Sequence, residues 1–120
     1  MVGTFTVQIG VGDPARQDFR PIDALVDTGS TFSWVPRSIL TSLGHRPRFR
    51  VPLVTAEERR IEVDATDEVP IRINDAVRAV ICVFGDDEGL PLLGATTLEA
   101  HLLAVDPVNQ RLIPVDGLAK

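Results

Sequence analysis

An all-β domain carrying one or two short helices is what this sequence predicts, on three observations. Several segments alternate apolar and polar residues with a period of two, the spacing of strands with one face buried and one wet. Nine Gly and nine Pro are spread along the chain with no low-complexity block, the frequent punctuation of a sheet-rich fold with many turns. At 120 residues and 44 % apolar, the chain fits one domain around one core, taken as residues 1–120, and it contains no internal repeat.

In chain order, Phe5-Thr6-Val7-Gln8-Ile9 alternates as a half-buried strand should, and Gly10 to Pro14 reads as a turn. Phe19 to Val26 is a second strand. Phe32 to Val35 is a third, closed by Pro36, with Trp34 large enough to anchor a core or an interface. Ile39, Leu40 and Leu43 fall at helical spacing between Pro36 and Gly44, so a short helix is expected over Ser38 to Leu43.

Arg46 to Leu53 alternates strictly, with apolar odd positions and mostly Arg at even ones. The returning segment Arg60 to Ala65 is also apolar at odd positions, through Ile61, Val63 and Ala65. Directly opposed residues share a face, so the connecting loop holds an odd number of residues. A three-residue loop at Ala56, Glu57 and Glu58 opposes Arg50 to Asp64 and Val51 to Val63. Acidic Glu62 and Asp64 on the returning strand make the arginine face a solvated strand surface rather than a nucleic-acid footprint.

Val69 to Ile73 and Val77 to Phe84 read as another strand pair around an Asn74-Asp75 turn. A helix is expected from about Thr96 to Leu102. Strand Leu103 to Val105, a turn over Asp106 to Asn109, and a last strand from Arg111 to Val115 follow.

Composition narrows the function. The formal charge of −5 and pI near 4.9 argue against a nucleic-acid binder. No segment has the length of a membrane-spanning helix, so no membrane partner is expected. Met1 to Phe5 has no basic region leading into an apolar run, so no signal peptide is expected either. The one cysteine, Cys82, lies between Ile81 and Val83 and reads as a buried strand residue, which points to a reducing, cytoplasmic setting. His45 and His101 lack partners at metal-ligand spacing, and Asp86, Asp87 and Glu88 lack the spacing of an EF-hand loop.

The chemistry concentrates at Ala24-Leu25-Val26-Asp27-Thr28-Gly29-Ser30-Thr31, an apolar run that delivers one carboxylate onto a tight, hydroxyl-rich turn. A carboxylate at the end of a core strand loses water and needs hydrogen bonds in exchange, which Thr28, Ser30 and Thr31 are positioned to offer. An Asx-type turn, with Asp27 bonded to the backbone two residues on, uses the same tripeptide without any catalysis.

Val26-Asp27-Thr28-Gly29-Ser30 resembles the active-site loop of the aspartic proteases. Leu92-Leu93-Gly94-Ala95-Thr96-Thr97-Leu98-Glu99 resembles the apolar-apolar-Gly segment that runs into a helix later in that superfamily. In a chain this short, the likeness is to the single-domain, retropepsin-like branch. It implies a closed, barrel-like acid-protease fold with a flap hairpin. It also implies catalytic Asp27 in a loop with Thr28, Gly29 and Ser30, supported by Leu93 and Gly94, and no cofactor or metal.

The resemblance places the flap on Val54, Thr55, Ala56, Glu57, Glu58 and Arg59, where it would cover an extended peptide or protein substrate. Families of this kind usually carry Gly at the flap tip, and this chain does not. The chain also carries one suitable Asp where the reaction uses two carboxyl groups that share a proton. The resemblance therefore implies a homodimer in which a second Asp27 completes the dyad, Thr28 hydroxyls brace the two loops, and strands near Thr4 to Val7 and Leu112 to Val115 join the subunits. Through its hydroxyl, Ser30 is expected to lower the apparent pKa of that pair. Two other readings stand beside the endopeptidase: a non-catalytic dimeric peptide-binding module of the same fold, and a monomeric peptide-binding barrel with Asp27 as a turn residue.

Overall fold

The computed structural model describes residues 4–119; Met1 to Gly3, on which part of the N-terminal reading falls, and Lys120 lie outside it. Among the described residues, nine strands and two short helices follow one another as β1 (Thr6–Gly12), β2 (Phe19–Val26), β3 (Ser33–Pro36), α1 (Arg37–Ser42), β4 (Phe49–Val54), β5 (Arg60–Ile73), β6 (Ala76–Gly85), β7 (Leu92–Leu93), α2 (Ala95–Ala100), β8 (Leu103–Asp106) and β9 (Arg111–Pro114). The main sheet runs β1-β2-β7-β3-β6-β5-β4, and a further pairing of β1 with β5 closes six of these strands into a ring, with β4 attached outside it on β5. This is the all-β, barrel-like architecture expected. No helix among the described residues is long and apolar enough to cross a membrane.

Inside the ring, Ile9, Val11, Ala24, Val26, Val35, Leu40, Ile71 and Leu93 form the main core. Leu103, Val105 and Leu112 of the β8–β9 hairpin pack against it. A second, smaller cluster of Val51, Ala65 and Val83 gathers Phe32, Trp34, Phe49, Leu53, Val63 and Ile81 around it. Cys82 is fully buried, and burial pushes its thiol up to about 12.

The parity argument for the β4–β5 hairpin holds: Arg50 opposes Asp64 and Val51 opposes Val63. On the outer face, Arg50 reaches Asp64 at 3.1 Å and Arg37 reaches the same carboxylate at 2.8 Å. Helix α1 begins one residue earlier than expected and stops at Ser42, and Gly44, two residues on, has a φ of +93°, the left-handed conformation that closes a helix. Helix α2 stops at Ala100, short of the expected Leu102, which itself takes a left-handed φ of +53°.

Two expectations are corrected. Gly10 and Gly12 do not form a turn; β1 runs through both, because their missing side chains leave room for the Phe19 ring, and a Cβ on Gly12 would lie 2.6 Å from it. The turn comes later, where Asp13 accepts the N–H groups of Gln17 and Asp18. Arg60 to Ala65 and Val69 to Ile73 are not separate strands but one, β5, bent by a bulge between Thr66 and Val69. Glu68 within that bulge has a φ of +57°.

Candidate active site

Strands β2 and β7 run parallel, with Leu25 beside Leu92 and Val26 beside Leu93. Leu25 N–H donates to Pro91 O at 2.9 Å and Asp27 N–H to Leu93 O at 3.0 Å, so the backbone that carries Asp27 is tied to the segment before Gly94. Beyond Asp27 the chain turns at once: Ser30 N–H donates to Asp27 O at 3.1 Å, and Gly29 N–H donates to Asp27 Oδ1 at 3.0 Å. The second of these is the Asx-type bond. It orients the carboxylate and leaves Oδ2 with no recorded protein partner among the described residues. Asp27 is half-buried, and Thr28 and Gly29 are exposed.

The hydroxyl groups do not surround the carboxylate as expected. Ser30 Oγ donates to Phe32 O at 2.8 Å, turning away from Asp27, so the role assigned to it in setting the acidity of the pair is withdrawn. A short turn lets the backbone N–H of Gly29 reach Oδ1 first.

Two strips of chain about sixty residues apart in sequence are stitched together behind the turn. Ala95 N–H donates to Ser30 O at 2.8 Å, and Thr31 O accepts both the N–H and the hydroxyl of Thr96, at 3.0 and 2.9 Å. Ser33 Oγ accepts Gly94 N–H at 3.0 Å and meets Thr97 Oγ1 at 2.6 Å, with both side chains fully buried. Gly94 sits where only hydrogen fits: a Cβ there would lie 2.8 Å from Ser30 O and closer still to the Phe32 carbonyl. The structure thus brings Asp27, Gly29, Ser30, Leu93 and Gly94 into one scaffold. Ser33 and Thr97 belong to it: Thr97 falls within the motif of residues 92–99, which assigns it no role, and Ser33, a small polar residue between Phe32 and Trp34, carries no signal in the sequence.

The tip of the β4–β5 hairpin is built separately. Glu58 N–H donates to Thr55 O at 2.9 Å, Thr55 N–H to Arg59 O at 2.8 Å, and Arg59 N–H to Thr55 Oγ1 at 3.2 Å. Glu58 takes a left-handed φ of +63°, so the three-residue loop at Ala56, Glu57 and Glu58 is a turn followed by one left-handed residue. Thr55 is half-buried, while Ala56 to Arg59 are exposed and Val54 is 71 % exposed. No recorded hydrogen bond or ion pair among the described residues joins this tip to the Asp27 turn. No group of three or more His, Cys, Asp or Glu that could hold a metal occurs among the described residues.

A family model described as aspartyl protease matches residues 6–97, a span that takes in the Asp27 turn, the hairpin and the strip through Thr97. The chain belongs to this aspartyl protease family, within the retropepsin-like clan. No curated protein gives a match to the chain.

Proposed function

We propose that the chain, taken over residues 1–120 as one retropepsin-like domain, is an aspartic endopeptidase that works as a homodimer. The observation that carries this reading is the state of Asp27: half-buried, fixed through its backbone and one oxygen, and with its second oxygen left to act. One carboxylate held this way cannot serve as both base and acid. A twofold axis between two Asp27 side chains supplies the other, and an isologous pair is the commonest form of homodimer.

In this mechanism a water lies between the two carboxyl groups, which hold one proton between them because like charges so close cannot both ionise easily. The ionised group takes a proton from the water, and the protonated one donates to the oxygen of the scissile carbonyl. Thr28 hydroxyls brace the two turns. The Val54 to Arg59 hairpin tip closes over an extended peptide held by strand-like hydrogen bonds. Leu25, Ile61, Val63 and Leu92 offer apolar walls beside the cut. With its one thiol sealed in the core and no disulfide required, a reducing, cytoplasmic setting suits the chain.

Cleavage of an unstructured protein across a pH series, with Asp27→Asn as control, tests the chemistry, and sedimentation tests the dimer. Cleavage that is abolished by Asp27→Asn in a species of twice the chain mass is the expected result. A dimer that binds peptide without cutting it would leave a peptide-binding module of the same fold, and a monomer that cuts would overturn the shared dyad.

A further inference from the structure

One recess on the described surface, about 740 Å³, shares no lining residue with the Asp27 turn. It lies on the outer face of β1, β2 and β5, and the β8–β9 hairpin forms its far wall. Its floor exists because Gly10 and Gly12 have no side chains, so the Phe19 ring lies down against β1. Arg72, opposite Gly10 in the β1–β5 register, holds its guanidinium 4.0 Å from the centroid of that ring. Stacking of this kind fixes the guanidinium plane and leaves its N–H edge to bind a carboxylate through two parallel bonds.

From the far wall comes Arg111, whose Nε donates to Asp106 Oδ2 at 3.2 Å, leaving its two terminal nitrogens for a ligand. Arg72 has no recorded ion pair among the described residues. The chain carries 17 acidic and 12 basic side chains, yet no residue that lines this recess is acidic. The remaining polar groups are the carboxamides of Gln8, Asn74 and Gln110, which can donate as well.

The geometry points to a docking site for an extended acidic peptide segment, read by Arg72 and Arg111. A lone small anion would leave most of the recess empty. An extended chain places alternate side chains on one face, so carboxylates two residues apart point together toward the two guanidinium groups. Gln8 and Ile9 line the recess beside the Gly10 and Val11 positions where β5 pairs with β1, and give such a chain a strand to lie along.

The test is binding, read without cleavage in the full chain carrying Asp27→Asn. The probes are a fluorescein-labelled peptide of alternating Glu and Ala and a matched peptide with Gln in place of Glu. The acidic peptide should bind at least tenfold more tightly than the Gln control. Arg72→Ala should weaken it tenfold or more, and Arg72→Lys should fall between, since an ammonium lacks the fork. In the Asp27→Asn chain with Arg72 intact, the backbone amide signals of Gly10 and Asn74 should move on titration, a readout independent of how the Arg72 variants fold. Equal binding of the two peptides, or an unchanged affinity in Arg72→Ala, would overturn the assignment. Inorganic phosphate that moves the same amides as strongly as the peptide would overturn it too, in favour of a free oxyanion.

Discussion

Gly94 and Phe32 approach so closely that any Cβ at Gly94 would strike the Phe32 carbonyl oxygen while lying 2.8 Å from Ser30 O. Both oxygens belong to backbone that is already hydrogen-bonded, by Ala95 N–H on Ser30 and by the Ser30 hydroxyl on Phe32. Neither can retreat without breaking those bonds. Gly94→Ala is therefore expected to cost about 3 kcal/mol or more, the upper range for overpacking a rigid site. Urea denaturation measures it. Gly29→Ala makes the contrast, because its Cβ would meet only Asp27 Oδ1, at 3.3 Å. Its expected cost is below about 1 kcal/mol in stability, with the larger effect on whatever Asp27 does.

The buried hydroxyl pair of Ser33 and Thr97 should not respond evenly to mutation. Ser33→Ala leaves both Gly94 N–H and the Thr97 hydroxyl without a partner, whereas Thr97→Val leaves Ser33 still accepting from Gly94. Expected losses are about 2–3 kcal/mol for the first and about 1–2 kcal/mol for the second. A double-mutant cycle by chemical denaturation should return a coupling clearly different from zero.

At the hairpin tip, Glu58 bears the strain of a left-handed backbone, with a φ of +63°. Glu58→Gly should raise stability by up to about 1 kcal/mol, the penalty a side chain suffers in that region less the extra freedom Gly has when unfolded. The same substitution should leave the β4–β5 register intact, since parity on either side of the loop sets it. A shift in thermal midpoint together with unchanged amide exchange across Phe49–Val54 checks both halves of the expectation.

His101 links stability to pH. Both ring nitrogens are buried without a hydrogen bond, and burial lowers the pKa from its ordinary 6.5, with the charge of Arg78 adding to the effect and the nearby Ile71 carbonyl opposing it. In the window between the lowered folded value and 6.5, the unfolded chain binds more protons than the folded one, so stability rises with pH. The contribution is fully present above 6.5 and is lost as pH falls through the folded value. His101→Leu should flatten the urea midpoint between pH 7 and 5 relative to the unsubstituted protein, and a parallel pair of curves would refute the assignment.

How much of this was legible beforehand depended on the range over which the chain signals its intentions. Alternation is a local signal, so Phe19–Val26 and the β4–β5 register could be derived, the latter from parity alone. Gly10 and Gly12 misled because glycine usually marks a turn, and nothing nearby in sequence announced that Phe19 would need their space. Asp67 and Glu68 hid the continuity of β5, since a bulge and a loop have the same composition. At the site, Asp27 and Gly94 stood out by motif. The bond from Ser33 to Thr97 spans 64 positions and has no local signature, and the orientation of Ser30 was settled by competition between two acceptors, Asp27 and Phe32.

The stitching of Ser30–Ser33 to Gly94–Thr97 has a consequence in time. While the chain is being made, Asp27 emerges long before the segment that anchors it, and until Leu93 and Gly94 arrive β2 is held on its β1 side alone. A nascent or truncated polypeptide therefore holds the acidic residue without the framework that orients it. That framework is withheld until synthesis has passed Thr97.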